Sequence, residues 1–298
     1  MGDYVKVSAS TGMYMVSRTD KKYYNTLEEG IRRLHKAGYE CADLFFCDAI
    51  YHFIPDVFLR NDNWMDETKR IKELGDELGI KFNQSHTPFY RALDPNNLEH
   101  DYNEEMIRRS IIASSICGVP WITMHSSRSF RSNSFDVSLH DNIEYFKPHV
   151  ELAAKYGVGI AIENLQDTPE GRRFGATTDE LLAIVDGLND PKHVGVTWDV
   201  GHANVMKQNQ VESLRKIGSR LHALHIHDNR GKYDEHNRPY EGTIIWDEIM
   251  KTLKEIKYDG EFTFEVLNLF SVPMPREIED EAAALLLKMG NYMLTLAE

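Results

Sequence analysis

The segments VGVTWDVGHANV (194–205) and LHALHIHD (221–228) decide how this chain folds. In the first, an apolar β-rich run ends at Trp198 and is followed at once by Asp199, with His202 three residues on. In the second, His225 and His227 stand two apart, so a strand there turns both to one face. Carboxylate and imidazole groups at two adjacent strand ends are the beginning of a divalent-metal site.

Outward from this centre, the same unit recurs. Short apolar runs at 5–10, 41–46, 81–86, 121–125 and 159–164 precede it, and another at 261–266 follows it. With 194–200 and 221–228 these make eight expected strands. Between and after them, amphipathic stretches predict helices at 26–38, 66–78, 104–117, 142–156, 178–185, 211–217, 245–256 and 276–294. Several of these stop at glycine (Gly38, Gly79, Gly118, Gly157). Eight strands alternating with eight helices predict an α/β fold, a (β/α)8 TIM barrel with parallel strands, as one domain over 1–298. A doubly wound open sheet is the rival, but SASTGMY after the first strand is no Gly-rich dinucleotide fingerprint.

Loops before strands are short, whereas those after strands, at 48–62, 87–103, 126–137, 229–244 and 267–275, are long. In a barrel the post-strand loops build the active-site mouth, so the asymmetry points to an enzyme. The strand ends agree: they carry His86, His125, Glu163, Asp199 with His202, His225 and Glu265. Only about one residue in five of the chain is Asp, Glu or His. Taken singly, His86 and His125 have a second reading as core histidines, and His227 reads better as orienting a neighbour than as a ligand. Glu163 and Glu265 follow the apolar runs IAI and FTF, where an unpaired carboxylate costs several kcal/mol. A divalent cation offsets that cost, and oxygen plus imidazole ligands suit Mn2+, Mg2+, Co2+ or Zn2+.

Composition narrows the partners. Net charge is −13, against the basic face that nucleic-acid binding requires. No run is long enough for a membrane span, and the start MGDYVKVSAS lacks the pattern of a signal peptide. Three cysteines, Cys41, Cys47 and Cys117, fit a reducing, cytoplasmic setting. Across an extended strand Cys41 and Cys47 stand roughly 20 Å apart, too far to bridge. Tyr51, Phe53, Phe58, Phe89 and Phe270 are expected to cover a small ring-shaped ligand. The apolar 267–275 loop is expected either as a lid or as a contact in a homo-oligomer.

IENL (162–165), WDVGHA (198–203), HIHDN (225–229) and FEV (264–266) resemble the xylose-isomerase-like barrel superfamily. It contains sugar isomerases, ketose 3-epimerases, inosose dehydratases and apurinic endonucleases. Resemblance to the epimerases implies one metal, Mn2+ before the others, on Glu163, Asp199, His225 and Glu265. The reaction implied is isomerisation or epimerisation of a sugar or polyol derivative through a metal-stabilised enediolate, with Glu163 and Glu265 moving the protons. His202, Trp198, Arg230 and His86 are expected on the substrate; Arg230 falls one residue early against the epimerase arginine. The same chemistry run as a lyase or dehydratase is an alternative. Resemblance to the endonucleases adds His86, His125, His202, Asp234 and His236 as ligands of a multinuclear zinc phosphodiesterase. A non-catalytic binding protein is the remaining reading.

Overall fold

The computed structural model describes residues 5–15, 25–168, 171–270 and 275–297. Eight parallel strands are present: β1 (Val7–Ser10), β2 (Cys41–Phe45), β3 (Lys81–His86), β4 (Trp121–His125), β5 (Gly159–Glu163), β6 (Val194–Asp199), β7 (Leu221–His225) and β8 (Phe262–Phe264). From β1 to β7 each pairs with its sequence neighbours, and β8 pairs with β1. The ring closes between β7 and β8, where Ile226 N–H donates to Thr263 O at 2.9 Å and Glu265 N–H donates to Ile226 O at 3.1 Å. The fold is therefore the single-domain (β/α)8 barrel that the alternation implied, and it leaves no long open edge.

The helices are α1 (Gly12–Met15), α2 (Leu27–Lys36), α3 (Trp64–Leu78), α4 (His100–Cys117), α5 (Phe135–Tyr156), α6 (Thr178–Leu188), α7 (Val200–Val205), α8 (Gln210–Ile217), α9 (Trp246–Glu255) and α10 (Arg276–Thr295). Their starts follow local chemistry: Thr26, Thr177 and Asn209 each accept the N–H three residues on. Their stops do too, since Gly79, Gly118 and Gly157 take left-handed φ near +70° after α3, α4 and α5.

Two differences from the sequence reading matter. α5 begins at Phe135, not 142, because Ser134 holds extended backbone and FDVSLHD continues the helix it opens. The short helix α7 was not expected. It forms because Asp199 ends β6 and caps the next turn, its Oδ1 accepting His202 N–H at 2.6 Å.

Strand alternation sorts the side chains. On β5, Ile160 and Ile162 join the apolar core, while Glu163 opens into the barrel mouth. The barrel interior is partly polar, and part of it is paired: Ser8 donates to Asn83, Asn83 to Thr263, and Thr123 and Thr197 share a 2.8 Å bond. Lower down, Trp121 stacks on His222 with ring centroids 3.8 Å apart. The cysteines are buried and unbridged. No helix among the described residues is long and apolar enough to cross a membrane.

Candidate active site

Glu163, Asp199 and His225 end three consecutive strands, and Glu265 stands just past β8. Parallel pairing sets Asp199 opposite His225 and His125 opposite Glu163. Backbone bonds then fix the angles. Asn164 clamps Asp199 from both sides: its Nδ2 donates to Asp199 O at 2.9 Å and its Oδ1 accepts Asp199 N–H at 2.7 Å. Glu163, Asp199, His225 and Glu265 each bring one ligand atom to within 4.8 Å of all the others, and all four residues are buried.

These residues fit a divalent cation. His225 Nδ1 lies 2.8 Å from Glu163 Oε1, 3.6 Å from Glu265 Oε2 and 3.9 Å from Asp199 Oδ2. Three carboxylates turned toward one imidazole nitrogen in a buried site require positive charge. Burial alone would lower the His225 pKa, but Glu265 and Glu163 outweigh it and hold the imidazole up to about 9. Burial likewise disfavours the Glu163 carboxylate, yet the protonated His225 beside it holds it well below the ordinary range. A cation bound by ionised carboxylates and a neutral imidazole would replace the proton that now balances this charge.

Two further groups converge on the same mouth. His125 Nε2 and His86 Nε2 stand 2.7 and 3.2 Å from Glu163 Oε2, and the His86 ring stacks on His225 with centroids 5.5 Å apart. Burial pushes His125 down to about 4 against the pull of Glu163, so it offers a neutral ring. On the other flank, Asp234 Oδ2 lies 3.0 Å from His236 Nε2 and 3.4 Å from His202 Nε2. His227 belongs with them: its ring stacks on His236 at 4.0 Å, and its Nε2 lies 3.0 Å from Asp199 Oδ2. It thus contacts the Asp199 carboxylate, and it also stands within ligand reach of Asp234. Buried His225 Nε2, His227 Nδ1 and Asp234 Oδ1 have no hydrogen-bond partner among the described residues.

The mouth is a cavity of about 500 Å³. Glu163, His86, His125, His202, Asp234, His236 and Glu265 line it, with Tyr51, Phe53 and Phe89 as an aromatic wall. Phe58 and Phe270 take no part in that wall: they pack on Phe46 and Tyr14. Trp198 is not on the substrate side either. Its ring is fully buried and its Nε1 donates to Gln210, because the residue before inward-facing Asp199 must face the helices. Arg230 is exposed and paired with Glu235 at 2.7 Å, outside the cavity. Of the 267–275 loop, Leu267 lines the cavity, while 271–274 lie outside the described residues.

Sequence reading missed Asp48 and Cys47 after β2, Gln166 after β5, and Arg173, all of which line the cavity. Asp48 is the most telling. Burial, partly countered by Arg60, pushes its carboxyl up to about 7. A half-protonated acid facing a cavity can donate a hydrogen bond that an ordinary aspartate cannot. Its only signal in the sequence was an acid two residues past the apolar run LFF.

The family model described as xylose isomerase-like TIM barrel matches residues 31–288. The uncharacterized protein MJ1311 of Methanocaldococcus jannaschii is 38% identical over 153 residues, 50% of this chain and 51% of that protein. The chain thus spans about half the length of that relative. A probable endonuclease 4 of Acholeplasma laidlawii is 23% identical over 206 residues, 63% of this chain and 69% of that protein. Among solved structures, a D-psicose 3-epimerase studied in the presence of D-fructose superposes with a TM-score of 0.75 at 14% identity, covering 97% of this chain and 99% of that one. At such identity the likeness is one of fold.

Proposed function

From the premise that the chain belongs to the xylose isomerase-like TIM barrel family, we propose that it is a divalent-metal-dependent epimerase or isomerase of a sugar or sugar derivative. One observation carries this reading: Glu163 at the end of β5 and Glu265 just past β8 bring buried carboxylates to the same candidate ligand set and line the same small cavity. Glu163, Asp199, His225 and Glu265 would hold the cation. When bound, it supplies Lewis-acid polarisation of a carbonyl and its neighbouring hydroxyl.

The rest is done by the chain. One of the two carboxylates takes the proton from the carbon next to the carbonyl, and the other returns a proton on the opposite side. Inversion at that carbon requires the two groups on opposite faces, and their arrival from different strands allows that. His202 Nδ1 lies 2.9 Å from Asn164 O, which aims Nε2 toward the mouth as a donor or acceptor for hydroxyls. Tyr51, Phe53 and Phe89 exclude water and cover the apolar ring face. The similarity to a D-psicose 3-epimerase fold agrees with this reading.

A second reading has its own support. The groups around His86 and His125 and around His202, Asp234 and His236 complete the ligand pattern of a multinuclear phosphodiesterase. The sequence match to a probable endonuclease 4 points the same way. A panel of ketoses and an abasic-site duplex, each offered to the metal-loaded protein and to the chelator-stripped protein, separates the two. Metal-dependent interconversion of a ketose supports the first reading; strand cleavage with no ketose turnover replaces it with the second.

A further inference from the structure

A second cavity, of about 290 Å³, opens beside the first and shares Phe89, His125 and Arg173 with it. Its walls come from the loops after β3, β4 and β5. Those loops supply four arginines: Arg91, Arg128, Arg172 and Arg173. Among the described residues that line it there is no Asp or Glu, although the chain as a whole carries a net charge of −13. A random patch of this surface would be acidic; this one collects positive charge around a hollow.

The arginines are placed with some care. Arg172 is anchored by an ion pair with Glu180, a buried carboxylate on α6. Gly171 has φ of +143°, a conformation that favours glycine, and the Arg128 guanidinium lies against it, its Nη1 2.6 Å from where a Cβ would stand. Arg91 is exposed at the rim and Arg173 stands at the junction with the first cavity. Buried Ser126 and Ser127 line the wall beside them. His125, which touches Glu163 at 2.7 Å, joins this cavity to the ligand set.

We propose that the second cavity is an oxyanion subsite, and that the substrate is a sugar carrying a phosphate monoester rather than a free sugar. Guanidinium groups bind phosphate oxygens through paired, charge-assisted hydrogen bonds. A phosphate monoester carries close to two negative charges at neutral pH, which matches several guanidinium groups better than a single carboxylate does. The sugar then spans from the phosphate, past His125, to Glu163 and Glu265. The identity of the substrate rests on the epimerase reading above; the presence of the anion subsite does not.

The test uses inorganic phosphate as probe, titrated calorimetrically into the full chain loaded with metal, beside Arg91→Gln and Arg128→Gln. Arg91→Gln alters an exposed rim residue, so its fold is secure and circular dichroism confirms it. Each substitution is expected to weaken phosphate binding on the order of tenfold. For catalysis, kcat/KM is expected to favour ketose phosphates over free ketoses by on the order of tenfold or more, a preference that both variants lose. Absent phosphate binding, or binding unchanged in both variants, overturns the subsite, and turnover of free ketoses alone would leave the epimerase reading intact. Arginine-dependent phosphate binding without ketose phosphate turnover keeps the subsite and removes the epimerase reading. Arginine-dependent cleavage of an abasic-site oligonucleotide reassigns the subsite to a nucleic-acid backbone and overturns the small-substrate proposal.

Discussion

Glu163 stands between two imidazoles: its Oε1 lies 2.8 Å from His225 Nδ1 and its Oε2 lies 2.7 Å from His125 Nε2. One carboxylate therefore joins the central ligand set to the histidines of β3 and β4. Glu163→Gln keeps the size of this group and removes its charge. Activity on the true substrate is expected to fall on the order of a hundredfold to ten-thousandfold, with Glu265→Gln falling comparably. Bound metal should drop in both, measured by elemental analysis after dialysis. Either variant retaining wild-type kcat removes that residue from the proton transfer.

Gly201 sits inside WDVGHA, and a Cβ there would fall 1.9 Å from His227 Cε1. His227 is buried and cannot swing away, and its Nε2 holds Asp199 Oδ2 at 3.0 Å. Gly201→Ala is expected to displace His227 and, through it, Asp199. Metal affinity should weaken about tenfold to a hundredfold, as for other residues that orient a ligand. Unaltered metal affinity in a folded Gly201→Ala protein would show that His227 does not position Asp199.

Asp48 makes stability depend on pH in an unusual direction. Its ordinary pKa of 3.8 rises to about 7 on folding, chiefly through burial. A carboxyl raised in the folded state contributes stability that is present below pH 4 and lost as pH climbs through 7. Asp48→Asn should abolish that loss. Relative to wild type, the variant gains stability between pH 4 and pH 8, on the order of a few kcal/mol at most, read from denaturant midpoints at each pH. A gap that stays constant with pH would mean that Asp48 is ionised in the folded chain.

The proposed chemistry needs one cation per chain, on Glu163, Asp199, His225 and Glu265. Elemental analysis of purified, untagged protein is expected to find one ion of Mn, Co, Mg or Zn. Two or three zinc ions per chain would bring His86, His125, His202, Asp234 and His236 into use as ligands and favour the phosphodiesterase reading.

The barrel and the meeting of its candidate ligands at one mouth were legible because both follow from strand periodicity. Each strand is a short apolar run, and each site residue is the polar group that ends it, as in GIAIE and VGVTWD. That rule also assigns Trp198, which must face away from the mouth if Asp199 faces into it. His227 lies beyond the end of β7, where strand alternation no longer decides direction, so its stacking on His236 was hidden. Asp48 and the arginines around the second cavity sit on post-strand loops. Their convergence depends on how three loops, far apart in sequence, fold over one end of the barrel, and no local pattern encodes that.

Proton exchange with solvent addresses the two-carboxylate chemistry itself. Metal-loaded protein is incubated with ketoses and ketose phosphates in D2O, and the product is read by proton NMR. Deuterium should enter at the carbon next to the carbonyl, with exchange lost in Glu163→Gln or Glu265→Gln and after chelation. Conversion with no deuterium at that carbon, or exchange at the full rate in both variants, would show that Glu163 and Glu265 do not carry the proton.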